Sequence, residues 1–180
     1  QWNHQPDNAL WSVRERKGFL RLKTGRVETD FLQARNTLTQ RTFGPTCKGI
    51  VALDISHMAE GDFAGLALLQ QRYGQVGVRM EGGKKSVVMV SAESGQPETQ
   101  ASLPYDRDTI YLKAECDFTR LRDTTTFYYS PDGRQWTPLG TPLKMAYTIP
   151  QFIGYRFALF NYTTQAPGGY VDIDYFRVLK

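Results

Sequence analysis

The sequence predicts an all-β domain built from two packed antiparallel sheets, a β-sandwich. Runs rich in Val, Ile, Leu, Tyr and Phe recur at short intervals, turn signals separate them, and long helical periodicity is absent. Aromatic residues make up 13% of the 180 residues, and such residues are enriched in strands. Because neither a linker nor an internal repeat interrupts the pattern, we interpret residues 1–180 as a single domain.

The predicted strands follow one another as apolar or alternating runs, and we expect roughly a dozen strands in all. The clearest runs cover residues 19–22, 50–55, 63–69, 73–79, 86–90, 111–114, 126–129, 155–162 and 170–179. Gly82-Gly83 predicts a hairpin turn, and Pro131-Asp132-Gly133 predicts a second turn, since Pro presets φ and Gly adopts positive φ. In such a sandwich one sheet is often curved, so we expect a groove of polar and aromatic side chains on its concave face.

Composition and charge exclude several classes of function. The net charge is +4, from 22 basic and 18 acidic residues, and no Lys/Arg-rich run is present, so no nucleic acid partner is expected. No stretch of about 18 apolar residues occurs, so no membrane partner is expected either. The chain opens at Gln1 without a starting Met or a signal peptide, which we interpret as a mature or excised piece. The expected location is extracellular, with an intracellular one left open.

The residues available for catalysis are few, and we predict no catalytic residue. The two histidines lie far apart, and no Gly-x-Ser-x-Gly nucleophile motif is present. Some sandwich glucanases carry Glu-x-Asp-x-x-Glu on one strand. Glu115 and Asp117 fit its first two positions, but Arg120 occupies the third. We therefore interpret both carboxylates as surface charges opposite Arg120 and Arg122. The two cysteines allow either one disulfide or two buried thiols.

One carboxylate pair suggests a structural cation. Asp172 and Asp174 should share one face of the last strand, while Val171, Ile173 and Tyr175 form its apolar face. Adjacent carboxylates together with backbone carbonyls bind Ca²⁺, so Asp174 is the candidate metal ligand. The alternative is that these acids cap the sheet edge or pair with Arg or Lys.

Seven stretches of the sequence carry a resemblance that covers nearly the whole chain. They are WNHQPDN (2–8), LRLKT (20–24), FLQARNTLTQRTFGP (31–45), GDFAGLALLQQRYGQVGV (61–78), YSPDGRQW (129–136), GYRFALFNYTT (154–164) and GGYVDIDYF (168–176). In order and spacing they resemble the C-terminal concanavalin A-like β-sandwich domain of glycoside hydrolase family 43 β-xylosidases. The resemblance implies a jelly-roll sandwich packed against a five-bladed propeller that holds the catalytic carboxylates. It also implies kinship with xylan-binding modules.

The function implied is that of a non-catalytic accessory module of a xylan-degrading glycosidase. It would bind xylan or xylo-oligosaccharides in the concave groove, beside a family 43 catalytic domain of the parent protein. The alternative is a purely structural domain that buttresses the propeller and has no ligand of its own. Apart from a structural Ca²⁺, no cofactor is expected.

Alternation and residue type select the candidate sugar-binding residues. In residues 154–162 one face, with Tyr155 and Phe157, should be core, and the other, with Arg156 and Tyr162, should line the groove. Arginine offers a planar fork of donors for sugar hydroxyls, and tyrosine offers a ring for stacking. Phe152 lies in the preceding loop and is the candidate to reach a neighbouring catalytic pocket, although it could equally anchor the loop. The full set of carbohydrate-binding candidates is Arg35, Arg41, Tyr73, Phe152, Arg156 and Tyr162.

Overall fold

Two antiparallel sheets lie face to face in the computed structural model, which describes residues 1–148 and 154–180. The larger sheet contains β1 (Trp11–Ser12), β2 (Leu20–Lys23), β4 (Thr46–Asp54), β9 (Thr109–Asp117), β10 (Thr124–Ser130), β11 (Thr137–Pro138), β12 (Leu143–Lys144) and β14 (Tyr170–Leu179). The smaller sheet contains β3 (Leu38–Arg41), β5 (Asp62–Leu69), β6 (Gly74–Glu81), β7 (Lys84–Ser91), β8 (Glu98–Pro104) and β13 (Arg156–Thr163). The predicted two-sheet antiparallel sandwich is confirmed.

The strand order shows how the chain crosses between the sheets. The larger sheet runs β1-β2-β14-β4-β9-β10-β11, with β12 also on β10, and the smaller sheet runs β3-β13-β5-β6-β7-β8. Three short 3₁₀ helices complete the described structure, at Asn8–Leu10, Phe31–Gln33 and Thr119–Leu121. None of these helices has the length or the apolar run that crossing a bilayer requires.

The main core lies between the sheets and follows from period-two alternation. In β9 the side chains of Ile110, Leu112, Ala114 and Cys116 are buried, while the residues between them are half-buried on the opposite face. Cys116 lies directly opposite Cys47 of β4, and both are buried free thiols. Each large apolar side chain buried in this way stabilises the fold by about 1.5–3 kcal/mol relative to exposure.

A second apolar cluster covers the outer face of the smaller sheet, and we call it the outer cluster. It joins Phe63 of β5 and Phe160 of β13 to Phe31, which projects from the 3₁₀ helix Phe31–Gln33. All eight residues of β5 are buried, because the core covers one face of this strand and the outer cluster covers the other. Double coverage explains why residues 63–69 read as a continuous apolar run rather than an alternating one.

The structure corrects two features of the sequence interpretation. The register of β14 against β4 shifts between Ile173 and Tyr175, so Tyr175 lies on the outer face beside Tyr111 instead of in the core with Ile173. Strand β8 was not predicted. It is an edge strand that is largely exposed on both faces, so its sequence has no apolar periodicity to detect. The Gly82-Gly83 hairpin is confirmed, with φ values of 60° and 70°.

Candidate functional site

Strand β13 divides its side chains between the core and the outer face, as the alternation predicts. Tyr155, Phe157 and Leu159 enter the core between the sheets. Ala158 and Phe160 belong to the outer cluster, and Tyr162 packs against that cluster. Arg156 lies on the same outer face, since it bonds Thr39, the residue opposite Ala158. The shared face of Arg156 and Tyr162 is therefore confirmed.

The centre of this outer face is filled by aromatic rings. The Phe31 ring lies 4.8 Å from the Tyr73 ring and 5.2 Å from the Phe160 ring, centroid to centroid, in edge-to-face contacts. Tyr73 is only 4% exposed, and burial raises the pKa of its hydroxyl well above the usual value for tyrosine. The expectation that Tyr73 lines an open groove is corrected, because its ring packs inside the outer cluster, and we leave it out of the proposed site.

At one end of β13, Arg156 is held by the N-terminal segment. Its guanidinium donates to Asn3 Oδ1 at 2.6 Å and to Thr39 Oγ1 at 3.3 Å, and burial lowers its pKa. Arg41 lies directly opposite Arg156 on β3 and is exposed, so it reaches the same face, as predicted. Six residues separate Arg156 from Tyr162, a span of about 20 Å along a strand. The candidates therefore form two separate groups rather than one groove.

At the other end of β13, Arg35 and Tyr162 line one cleft, which we call the rim cleft. Its volume is about 200 Å³. Residues 24–28, which follow β2, form one side, and a Cβ at Gly25 would overlap the side chain of Leu10. The residues lining the cleft are Asp7, Leu10, Lys23, Thr24, Gly25, Arg26, Glu28, Arg35, Asn161 and Tyr162.

The polar groups of the rim cleft include one buried acceptor. Asn161 is 5% exposed and donates from Nδ2 to the Leu22 carbonyl at 2.9 Å, while its Oδ1 has no hydrogen-bond partner among the described residues. Burial raises the pKa of Tyr162, so its hydroxyl stays protonated near neutral pH. Arg26 is ion-paired with Glu28, and Arg35 is exposed without an ion pair within the described chain. The cleft thus offers an aromatic side chain and a guanidinium, while Asn161 Oδ1 is buried on the core side of β13.

Asn161 was not among the predicted site residues, although the sequence carried a signal for it. Period two places Asn161 on the same side of β13 as Phe157 and Leu159. An amide at an inward-facing position of a core strand must find partners or line a cavity. Phe152 lies outside the described residues, and its predicted role stays a prediction.

The two carboxylates near the end of the chain, those of Asp172 and Asp174, differ from each other in burial and in pairing. Asp172 is 2% exposed and accepts Nε and Nη2 of Arg21 at 2.8 and 2.9 Å and Nη1 of Arg16 at 3.1 Å. Asp174, where the register shifts, is exposed and makes no ion pair within residues 1–148 and 154–180. No group of three or more His, Cys, Asp or Glu residues is placed to hold a metal in the described part of the chain. Calcium binding at Asp174 stays a prediction.

The two carboxylates that begin a glucanase-like pattern are both engaged on the outer face of β9. Lys113 contacts Glu115 at 2.7 Å. Arg122 contacts Asp117 at 3.2 Å, and the Thr119 hydroxyl donates to Asp117 at 2.6 Å, which together lower the pKa of Asp117. The predicted pairing of Asp117 with Arg122 is confirmed, whereas the cation beside Glu115 is Lys113 rather than Arg120.

Comparisons with known proteins agree with this architecture. Residues 1–179 match the family described as the β-xylosidase C-terminal concanavalin A-like domain. A β-xylosidase of Formosa agariphila is 28% identical over 98% of this chain and 32% of its own length. A bifunctional GH43-CE protein of Bacteroides eggerthii is 57% identical, with a TM-score of 0.98 over 99% of this chain and 23% of that one.

A third relative is a GH43 glycoside hydrolase engineered to display endo-xylanase and exo-arabinofuranosidase activity. It is 35% identical, with a TM-score of 0.92 over 99% of this chain and 37% of that one. The chain therefore spans no more than 37% of the length of these relatives. Since the family match covers residues 1–179, the chain belongs to the C-terminal concanavalin A-like domains of glycoside hydrolase family 43 β-xylosidases.

Proposed function

We propose that this domain is a non-catalytic accessory module that binds xylan or xylo-oligosaccharides at the rim cleft, beside a family 43 catalytic domain of the parent protein. The observation that carries the proposal is that Arg35 and Tyr162, two of the sugar-binding candidates, line one cleft together with Asn161. Relatives named as β-xylosidases support xylan-type sugars as the ligand class.

Two side chains that line the cleft suit different parts of a sugar. The Arg35 guanidinium would donate to neighbouring hydroxyls, and the Tyr162 ring would offer an apolar edge. A cleft of about 200 Å³ is smaller than a drug-sized site, so it suits one sugar unit of a chain.

The affinity should be weak. A cleft that orders one or two sugar units returns only a few kcal/mol beyond the cost of association, so a Kd of tens of micromolar to millimolar is expected. Such binding is useful beside a catalytic domain, because the tether raises the effective concentration of the substrate chain near the active site.

The proposal that the domain is non-catalytic rests on the ion pairs that its candidate carboxylates form. Glu115 and Asp117 are each paired with a cation, and Arg120 occupies the position where the glucanase pattern has its third acid. Hydrolysis needs one carboxyl that donates a proton and a second that acts as a base or nucleophile. With both acids engaged by cations and no third acid at position 120, the pattern does not supply this pair.

The test is a titration of the isolated chain with xylohexaose, followed by calorimetry and by amide chemical shifts. We expect shift changes that centre on Asn161 and Tyr162. Arg35→Gln should weaken binding several-fold, while Arg41→Gln, an exposed arginine at the far end of the same face, should leave it unchanged. If shifts cluster instead around Arg41 and Arg156, or if no binding occurs at millimolar sugar, the proposal is wrong.

A second candidate function, a structural buttress for the catalytic domain, is favoured by the filled outer face. Phe31 packs on Tyr73 and Phe160 at the centre of the sheet, where a groove-binding module would hold its ligand. Lack of retention on insoluble xylan, together with a lower Tm of a parent enzyme whose C-terminal domain is deleted, would support this function over sugar binding.

A further inference from the structure

A second depression adjoins the rim cleft, and its charge differs from that of the cleft. It is lined by His4, Gln5, Arg26, Gln33 and Arg35, so that Arg26 and Arg35 border both hollows. Its lining contains two guanidiniums and, among the residues that the structure describes, no carboxylate. His4 is engaged through Nε2 with the Leu32 carbonyl at 2.8 Å, which leaves the two arginines as the charged groups of the hollow.

The charges of the two hollows are unequally compensated. Of the cations that line them, Lys23 is paired with Glu15 at 2.6 Å and Arg26 is paired with Glu28. Arg35 is exposed and forms no ion pair with any described residue. A guanidinium in this position offers a rigid fork of N–H donors that matches the two oxygens of a carboxylate.

We infer that the site selects a xylo-oligosaccharide whose sugar unit carries a carboxylate, that is, a uronic acid branch. The inference rests on the proposed function and extends it. The neutral sugar ring lies in the rim cleft, which Tyr162 lines. The carboxylate lies in the adjoining depression and accepts N–H groups of Arg35, with Arg26 on its other side.

The carboxylates of the rim cleft do not oppose this arrangement. Glu28 is ion-paired with Arg26, and the Asp7 carboxylate accepts the Ala9 amide at 2.9 Å. Both acids line the rim cleft and not the adjoining depression. A uronate in the depression therefore pairs chiefly with Arg35, the lining cation that has no ion pair among the described residues.

The experiment compares two probes of equal backbone length: linear xylotetraose and xylotetraose with one glucuronic acid branch. At low ionic strength the branched acid should bind roughly fivefold or more tightly than the neutral probe, and 0.5 M NaCl should reduce this ratio, because salt screens a partly exposed charge pair. Arg35→Gln should bring the ratio close to one, whatever it does to neutral binding. Arg41→Gln should preserve the ratio, and matched Tm values would show that both variants fold.

The outcomes separate this inference from the proposed function. Equal binding of the two probes by the unmodified chain, or a ratio that survives Arg35→Gln, overturns the inference while sugar binding stands. If neither probe binds, the proposed function fails and the inference fails with it. Binding of the branched acid alone, lost in Arg35→Gln, would support the inference and restrict the proposed ligand class to acidic oligosaccharides.

Discussion

Replacement of Asp172 by Asn should be among the most destabilising single-atom changes on the larger sheet. Its buried carboxylate holds Arg21 through two hydrogen bonds at 2.8 and 2.9 Å, and Arg16 bridges it to Asp54. Burial alone would raise the pKa of Asp172, but the hydrogen bonds from Arg21 and Arg16 outweigh it, so the pKa lies below its usual value. The carboxylate is therefore ionised and paired at neutral pH.

The magnitude follows from the exposure of the partners. Breaking a fully buried ion pair from one side costs about 3–5 kcal/mol. The Arg21 side chain is 16% exposed and that of Arg16 39% exposed, so water replaces part of what the carboxylate supplied. We therefore expect a loss of about 2–3 kcal/mol in the free energy of unfolding. For a domain of this size the corresponding fall in Tm is about 4–12 °C.

The assay is thermal unfolding of Asp172→Asn and of Asp174→Asn, both in EDTA so that any metal bound through Asp174 is removed. Asp174 is exposed on the same strand, so its variant should lie within about 0.5 kcal/mol of the parent. A parallel scan of the parent chain with EDTA and then with added Ca²⁺ tests calcium binding itself. Equal Tm values for the two variants would refute the ion-pair reasoning.

The pH dependence supplies a second check on Asp172. A lowered folded pKa means that the contribution to stability is present above the unfolded pKa of about 3.9 and is lost as the pH falls through the folded value. The difference in Tm between Asp172→Asn and the parent should therefore be constant from pH 6 to 8 and narrow below about pH 4. A gap as wide at pH 3 as at pH 7 would show that packing, not charge, sets the loss.

Four further predictions follow from other side chains. Burial raises the pKa of Asp62 in the folded protein, so ionisation of its carboxylate lowers stability as the pH rises through that folded pKa. The Tm of Asp62→Asn should therefore match or exceed the parent Tm at pH 8, and this advantage should disappear near pH 4. Tyr162→Ala should cost about 2 kcal/mol in chemical denaturation, because the ring packs near Phe63 in the outer cluster. Cys47 and Cys116 should give two thiols per unfolded chain with Ellman's reagent and react slowly when folded, since both are buried. Pure protein should release no xylose or arabinose; sustained release that is lost on Glu115→Gln would contradict the proposed non-catalytic role.

The sequence predicted the sandwich and most of its strands. Burial on one or both faces of a core strand leaves a recognisable pattern of apolar residues in its sequence. Strand β9 alternates strictly, and β5 is apolar throughout, and both were recognisable as strands. Strand β8 escaped detection because neither face of an exposed edge strand is apolar. Tyr175 was assigned to the wrong face because a register shift reverses the period-two rule beyond Ile173, and a single sequence does not mark where such a shift occurs.

The site was only partly predictable for a similar reason. Alternation placed Arg156 and Tyr162 on one face correctly, but it carries no information about what else covers that face. Phe31 is far from β13 in sequence, and only the folded chain shows that its ring occupies the centre of the sheet. Tyr73 was interpreted as a groove residue because polar residues precede it in the sequence. In the structure the Phe31 ring packs against the Tyr73 ring and helps to bury it.

The filled outer face determines where a ligand can bind on this domain. A sugar chain laid across the smaller sheet would have to displace the Phe31 ring from its contacts with Tyr73 and Phe160, and losing a buried aromatic side chain costs about 3–5 kcal/mol. That cost is comparable with the whole free energy of a millimolar interaction, about 4 kcal/mol. The rim cleft avoids this cost, because Arg35 lines it and the rings of Phe31, Tyr73 and Phe160 do not. Binding at the rim, rather than across the sheet, is the arrangement that this packing permits.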